Sequence, residues 1–131
     1  MNGARPKPAL MTPFPVVRIT GVSFGRGVKL RLLKVQQAPA GATVIVRCRG
    51  RGCPKGASRR TTASGPHGVP AIVFGRFERY LRAGAVVEVL VSKSGLIGKW
   101  TRLRVRKGKL PERVDLCLDA SGVKPIACPA S

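Results

Sequence analysis

The sequence predicts an all-β protein, an antiparallel β-sandwich of six to seven strands. Apolar and polar residues alternate with period two in several short segments, and valine is enriched at the apolar positions, as in half-buried strands. Clusters of glycine, proline and serine separate these segments at intervals of about ten residues, which is typical of sandwiches and barrels. Only residues 77–81 (FERYL) are suited to a helical turn.

The chain is predicted to form one domain preceded by a short linker. Its 131 residues, 44% of them hydrophobic, are enough for one core and have the composition of a folded protein. Residues 1–13 are basic and proline-rich and show no periodicity, so we expect a flexible linker there. Residues 14–131 form the predicted single sandwich domain.

Seven segments are candidates for strands. In chain order they are residues 17–19, 28–32, 43–49, 61–63, 71–74, 87–91 and 101–105, of which 61–63 is an edge candidate. In the second segment, Val28, Leu30 and Leu32 are expected on the core face. In the third, the expected core face carries Val44, Val46 and Cys48, and the outer face carries Ile45, Arg47 and Arg49.

The clearest hairpin spans residues 85–106. Its two strands are joined by SKSGLIG at 92–98, where Gly95 and Gly98 supply the unusual backbone angles. This pairing places Arg102 or Arg104 opposite Glu88. After Pro111 the chain is expected to fold back across the sandwich.

Charge narrows the possible functions. Lysine and arginine total 25 against five acids, which gives a net charge of +20, and residues 1–77 contain no Asp or Glu. Such a surface attracts polyanions: nucleic acid, anionic lipid or cell-wall polymers. Five carboxylates leave little material for acid–base catalysis or for an oxygen-ligand metal site, so we expect no enzyme, no catalytic or metal-binding residues and no cofactor.

Two segments are candidates for polyanion binding. The segment 47–60 (RCRGRGCPKGASRR) concentrates six basic residues: Arg47, Arg49, Arg51, Lys55, Arg59 and Arg60. Flexible Arg/Gly segments can lay guanidinium groups against phosphates, although a solvated loop in an arginine-rich chain has the same composition. On the 101–105 strand, the outward side carries Trp100, Arg102, Arg104 and Arg106. An aromatic residue beside a row of arginines suits nucleic-acid binding. Alternatively, the tryptophan covers a sheet edge and the arginines lie along the surface.

The four cysteines form two local pairs, Cys48 with Cys53 and Cys117 with Cys128. A zinc site is one interpretation, but the ten residues between Cys117 and Cys128 do not fit the usual ligand spacing, and His67 stands alone in a loop. Two disulfides are the better prediction. In the chain-entropy model the two loops would add about 2 and about 3 kcal/mol of stability. Disulfides would imply an oxidising compartment.

Four segments together resemble a recurrent domain of envelope-associated proteins from high-GC Gram-positive bacteria. They are PFPVVRITG, VIVRCRGRGCP, the stretch from FERYLRAGAVVEV to GKLP, and a closing DLCL…CP, and they cover about residues 12–129. Within them, Leu81, Gly84 and the valine strand after it resemble a strand corner of immunoglobulin-like sandwiches, with Tyr80 as a hydrogen-bonding anchor. The resemblance implies an immunoglobulin-like fold in a secreted or surface protein, without a transferable activity or binding residue.

These observations lead to three functional hypotheses. The first is a non-catalytic structural or adhesive module of the cell envelope, secreted or at the cell surface, with its basic surface on anionic polymers. The second is a cytoplasmic nucleic-acid-binding module, and the third is a self-assembling filament or lattice subunit, or a member of a tandem array. No signal peptide is predicted, because Pro8, Pro13 and Pro15 interrupt the N-terminal segment, and no membrane span is predicted.

Overall fold

The computed structural model describes residues 7–62 and 71–129, which form two antiparallel β-sheets packed face to face. The strands are β1 (Val16–Phe24), β2 (Gly27–Gln36), β3 (Thr43–Arg49), β4 (Ser58–Thr61), β5 (Ile72–Val73), β6 (Tyr80–Arg82), β7 (Val86–Lys93), β8 (Leu96–Arg104), β9 (Glu112–Leu118) and β10 (Pro125–Ile126). The predicted all-β antiparallel sandwich is therefore confirmed, with ten strands in the described residues instead of six or seven.

The two sheets differ in width. The larger sheet has six strands in the order β10-β9-β8-β7-β3-β4. The smaller sheet contains β1 and β2, and the short strands β5 and β6 pair with different parts of the other edge of β2. The smaller sheet is thus about three strands wide at any point and covers only part of its partner.

The core lies between the sheets and is made of the inward positions of their long strands. The larger sheet supplies Val44, Val46, Val87, Val89 and Val91, all buried, and the smaller sheet supplies Val28, Leu30, Leu33 and Val35. The sidedness predicted for β3 is confirmed, since Val44 and Val46 are buried and Cys48 packs against the same cluster. The alternation of side-chain direction along each strand defines an outer face on β3, β7 and β8.

The predicted core face of β2 was wrong beyond Leu30. A β-bulge shifts the register, because Thr20 pairs with Leu32 while the adjacent Gly21 pairs with Leu30, leaving Arg31 as the extra residue. The bulge reverses the inward side, so Leu33 is buried and Leu32 points outward, half-exposed.

The helical turn predicted at 77–81 was also wrong. A single 3-10 turn occupies Gly75–Phe77, and Tyr80–Arg82 forms β6, which pairs with β2. The Tyr80 hydroxyl donates a hydrogen bond of 3.0 Å to the Phe24 carbonyl, so the predicted anchoring role is confirmed. The edge candidate at 61–63 is replaced by β4; residue 63 and His67 lie outside the described residues.

The C-terminal part extends the larger sheet and does not cross the sandwich as predicted. Strand β9 pairs with β8 along its whole length, and β10 pairs with β9. Both predicted disulfides are present, Cys48–Cys53 with Cα atoms 5.5 Å apart and Cys117–Cys128 with Cα atoms 4.9 Å apart. The second disulfide fastens the segment after β10 to β9.

The packed part of the chain begins before residue 14, inside the predicted linker. Leu10 forms a parallel bridge with Ile97; the Met11 N–H donates to the Ile97 carbonyl at 3.0 Å, and the Ile97 N–H donates to the Ala9 carbonyl at 2.9 Å. Met11 is buried in the core because these hydrogen bonds hold it at the start of β8. In the described ranges, the structure contains no helix long and apolar enough to cross a membrane.

Replacement of Gly98 with alanine is expected to destabilise the fold. Gly98 lies beside the irregular pairing of β7 with β8, where a Cβ atom would overlap the backbone carbonyl oxygen of Val91. We expect a loss of at least about 2 kcal/mol, measured by urea unfolding, because the backbone must shift. Gly75→Ala is the matched control, since the nearest atom to a Cβ there is the Glu78 carboxylate oxygen at 4.0 Å, an ordinary van der Waals contact. Equal stabilities of the two variants would contradict this explanation.

Candidate polyanion-binding surface

The outer face of the larger sheet brings together arginines from three strands, β3, β4 and β8. Cross-strand register aligns Arg47, Glu88 and Arg102 in one row, and Arg49, Val86 and Arg104 in the next. On the β4 edge, Arg59 lies opposite Ile45. We call this surface the arginine face; its five arginines are Arg47, Arg49, Arg59, Arg102 and Arg104.

A small apolar cluster underlies one end of the arginine face. Leu90 and Trp100 pair across β7 and β8 and are buried together with Leu118, and Ile45, Val114 and Leu116 pack against them. Trp100 is only 6% exposed. It therefore covers the sheet, as in the alternative interpretation, and offers no open ring for a base to stack on.

Glu88 is enclosed by the groups around it. Its Oε2 accepts a hydrogen bond of 2.6 Å from the Trp100 indole N–H, and its Oε1 lies 2.8 Å from Nη2 of Arg47. Glu88 is also the cross-strand neighbour of Arg102, as predicted. The Arg47 side chain is still 53% exposed, so it can contact a ligand while it is paired.

Arg102 has mainly internal contacts. Its guanidinium carbon lies 5.8 Å from the centre of the Trp100 ring, and its Nη2 lies 3.4 Å from Oε1 of Glu112. Its Nε is buried and, within the described residues, has no hydrogen-bond partner. Arg102 thus stabilises the tryptophan more than it presents charge to solvent.

Arg49, Arg59 and Arg104 are the free cations of this face. All three are exposed, and none takes part in the ion pairs found among the described residues. A shallow groove of about 590 Å³ lies at the Arg49 end of this face; it is lined by Arg47, Arg49, Val86 and Glu88 and, from the loop before β4, by Gly56 and Ala57. The groove is open and positively charged, which suits an extended anion better than a small enclosed ligand.

The other predicted binding residues do not join this face. Arg51 lies in the Cys48–Cys53 loop at the β6 end of the sandwich, where its carbonyl accepts a hydrogen bond from the Arg82 N–H. Lys55 lies in the loop before β4, and Arg60 alternates to the side of β4 opposite Arg59. Arg106 donates to the Leu110 carbonyl from Nε at 2.9 Å and from Nη2 at 2.7 Å, so it shapes the loop between β8 and β9.

Sequence reasoning missed Arg76, which helps to hold the groove loop in place. Its Nη1 donates to the Ser58 hydroxyl at 3.0 Å, and its Nη2 donates to the Lys55 carbonyl. The residue lies in a different segment from the loop it braces, and no spacing rule connects them. A second missed group, on the inner side of β9, joins Lys99, Thr101, Arg113 and Asp115.

All five carboxylates of the chain have structural contacts. Glu88, Glu112 and Asp115 form ion pairs with arginine or lysine side chains, Glu78 accepts the Leu33 backbone N–H at 3.1 Å, and Asp119 accepts the N–H groups of Val123 and Lys124. The backbone hydrogen bonds from Val123 and Lys124 lower the pKa of Asp119. No group of three or more His, Cys, Asp or Glu side chains in the described ranges is placed to hold a metal ion.

Asp115 is the most strongly stabilised of these carboxylates. Burial by itself would raise its pKa, but hydrogen bonds from Arg113, Thr101 and Lys99 outweigh burial and hold the pKa well below its usual range. Arg113 also donates from Nη2 to the Val17 carbonyl at 2.7 Å, so this cluster connects β9 to β1 of the opposite sheet.

Acid is expected to destabilise the protein through Asp115. Because its pKa is lower in the folded state than the unfolded value of about 4, its stabilisation is complete above that value and is lost as the pH falls below it. In urea unfolding from neutral pH to pH ~3, Asp115→Asn should show a smaller loss of stability than the wild type. Glu112→Gln is the control for removal of one carboxylate. Identical acid sensitivity of Asp115→Asn and the wild type would refute this role.

We compared the chain with protein-family models, curated proteins and solved structures, and nothing matches it.

Proposed function

We propose that this chain is a non-catalytic structural or adhesive module of the cell envelope that binds anionic wall polymers on the arginine face. One observation carries the proposal: Arg49, Arg59 and Arg104 are exposed and take part in none of the ion pairs among the described residues, and Arg49 lines a cationic groove, while the carboxylates of this face are already paired with other residues. Exposed guanidinium groups in such an array bind phosphate or carboxylate groups through paired hydrogen bonds.

The burial of Trp100 favours a polymer without bases. Binding of single-stranded nucleic acid usually depends on aromatic side chains that stack on successive bases. Trp100 is the only aromatic residue in the described strands of the larger sheet, and it is packed beneath Arg102 with its N–H on Glu88. The arginine face therefore recognises charge along a polymer backbone, which poly(alditol phosphates) and similar wall polymers provide.

The two disulfides support an extracytoplasmic location. Disulfides persist in oxidising compartments and are rare in the cytosol. The absence of carboxylates free for acid–base chemistry supports a role in binding over one in catalysis.

Binding to poly(glycerol phosphate) is expected to depend on the arginine face. The logarithm of the association constant falls linearly with the logarithm of the salt concentration, and the slope grows with the number of phosphate contacts. The triple variant Arg49→Gln/Arg59→Gln/Arg104→Gln should reduce the magnitude of this slope by about 2, since each lost phosphate contact removes roughly 0.7. Isothermal titration across a series of NaCl concentrations measures that slope. Arg18→Gln/Arg26→Gln/Arg31→Gln is the matched control, because it removes equal charge from exposed positions in and around the β1–β2 hairpin.

The same titration distinguishes the alternatives. If both triple variants weaken binding equally, net charge alone is responsible and the arginine face is not the site. If an oligothymidylate with the same number of phosphates binds more tightly than poly(glycerol phosphate), nucleic acid is the better ligand.

The oxidation state of the native protein tests the proposed compartment. Protein isolated from its own cells and alkylated without prior reduction should keep its mass, because all four cysteines are paired. Mass spectrometry before and after reduction measures this. Four alkylated thiols in the unreduced sample would place the protein in a reducing compartment and end the envelope proposal.

A further inference from the structure

The free edge of β1 borders an open groove. Strand β1 is the edge strand of the smaller sheet, and residues 20–24 are all exposed although they belong to the sandwich. The Val17 carbonyl faces the free edge, since it accepts the hydrogen bond from Arg113. Because backbone direction alternates along a strand, the N–H and C=O groups of Ile19, Gly21 and Ser23 face the same edge. Among the described residues, Arg113 contacts this edge at the Val17 carbonyl.

The groove beside this edge is apolar and reaches the core. It has a volume of about 500 Å³, and its lining includes Ile19, Val28, Leu30, Leu103, Leu110 and Pro111. It adjoins a second groove of about 360 Å³ that is lined by Phe24 and Leu110. Both grooves lie beside the edge of the smaller sheet, where it leaves part of the larger sheet uncovered.

Exposed apolar side chains are concentrated around the groove. Leu110 is 76% exposed, Phe24 56% and Val22 44%, and they make up half of the strongly exposed large hydrophobic residues in the described ranges. Soluble proteins rarely leave an unpaired strand edge and an apolar groove side by side, since together they form a template for another strand.

We propose that β1 binds an extended polypeptide segment by β-strand addition, with apolar side chains of that segment in the groove and acidic side chains at its rim. The rim is cationic: Arg106 and Lys109 line the groove at the hairpin end, and Arg18 and Arg113 line its continuation toward the start of β1. No acidic residue lines any of these grooves in the described chain. The partner is therefore a segment in which apolar and acidic residues alternate.

This inference is independent of the arginine face, which lies on the outer surface of the other sheet. A second copy of the chain is a poorer occupant, because each copy carries a net charge of +20 and the same cationic rim. Strand addition uses backbone hydrogen bonds for affinity and alternate side chains for specificity, and both are available here.

A capped peptide of alternating valine and glutamate tests the proposal on the intact protein. It should bind the wild type, and binding should protect the amide hydrogens of Ile19, Gly21 and Ser23 from exchange in NMR spectra. The same peptide with N-methyl groups on the amides of one edge keeps its charge but cannot form the ladder, so it should bind at least about tenfold more weakly.

Two protein variants complete the test. Ser23→Pro removes an N–H from the free edge, where proline is tolerated, and should weaken binding of the unmodified peptide about tenfold or more. Leu110→Glu places a negative charge in the groove and should also weaken binding, whereas Val123→Glu, an exposed residue in the β9–β10 loop, should not.

The outcomes separate strand addition from simple charge attraction. Equal affinity for the N-methylated and unmodified peptides, or protection confined to the larger sheet, would overturn the proposal without affecting the arginine face. Concentration-dependent dimerisation in sedimentation experiments, with protection of the same three amides in the absence of peptide, would show that the occupant is a second copy and would overturn the proposed partner.

Discussion

The difference in width between the two sheets governs the rest of this structure. Six strands on one side face a smaller sheet that is about three strands wide, so part of the larger sheet has no apolar cover on its inner face. Strand β9 lies in that uncovered part, and its inward side carries Arg113 and Asp115 where a fully covered strand would carry valines. Arg113 then reaches across to β1, so a polar cluster closes the sandwich where packing does not.

The same difference in width explains why an apolar cluster lies on the outer face of the larger sheet. Because the inner side of β9 is polar, its apolar residues point outward, where they pack with Trp100 and Leu90 in a second cluster. That cluster buries the tryptophan, and Arg102 lies over its ring. The absence of an open aromatic ring from the described part of the arginine face is thus a consequence of how the sheet is packed, and so is the bare edge of β1.

Much of the fold could be predicted, because β3 and β7 have valines at every second position, β8 alternates Thr101 and Leu103 with arginines, and the core covers these strands on only one side. Their sidedness, the pairing of Glu88 with Arg102 and both disulfides follow from local spacing. Strand β9 was missed although Val114, Leu116 and Leu118 alternate with Arg113 and Asp115. Its apolar residues face outward into the Trp100 cluster, which the alternation by itself does not show. The reversal in β2 comes from a bulge at Arg31, where the adjacent Leu32 and Leu33 break the alternation in the sequence.

Only part of the arginine face could be predicted from side-chain alternation in the sequence. Alternation identifies which arginines share a face, so Arg47, Arg49, Arg102 and Arg104 were grouped correctly in their strands. Alternation does not show what covers a side chain, and the burial of Trp100 depends on a strand from the end of the sequence.

The attachment of both ends of the described chain to β8 and β9 has a mechanical consequence. Leu10 forms a bridge with Ile97 at the start of β8. Pro125 pairs with Leu118 of β9, and Leu118 in turn pairs with Gly98, which follows Ile97 in β8. A pulling force applied between the two ends would therefore pass through the start of β8, with the Cys117–Cys128 crosslink holding the C-terminal segment to β9. Most of the sandwich lies outside this short path, so tension would reach β2, β3 and the arginine face only after the contacts at β8 had failed.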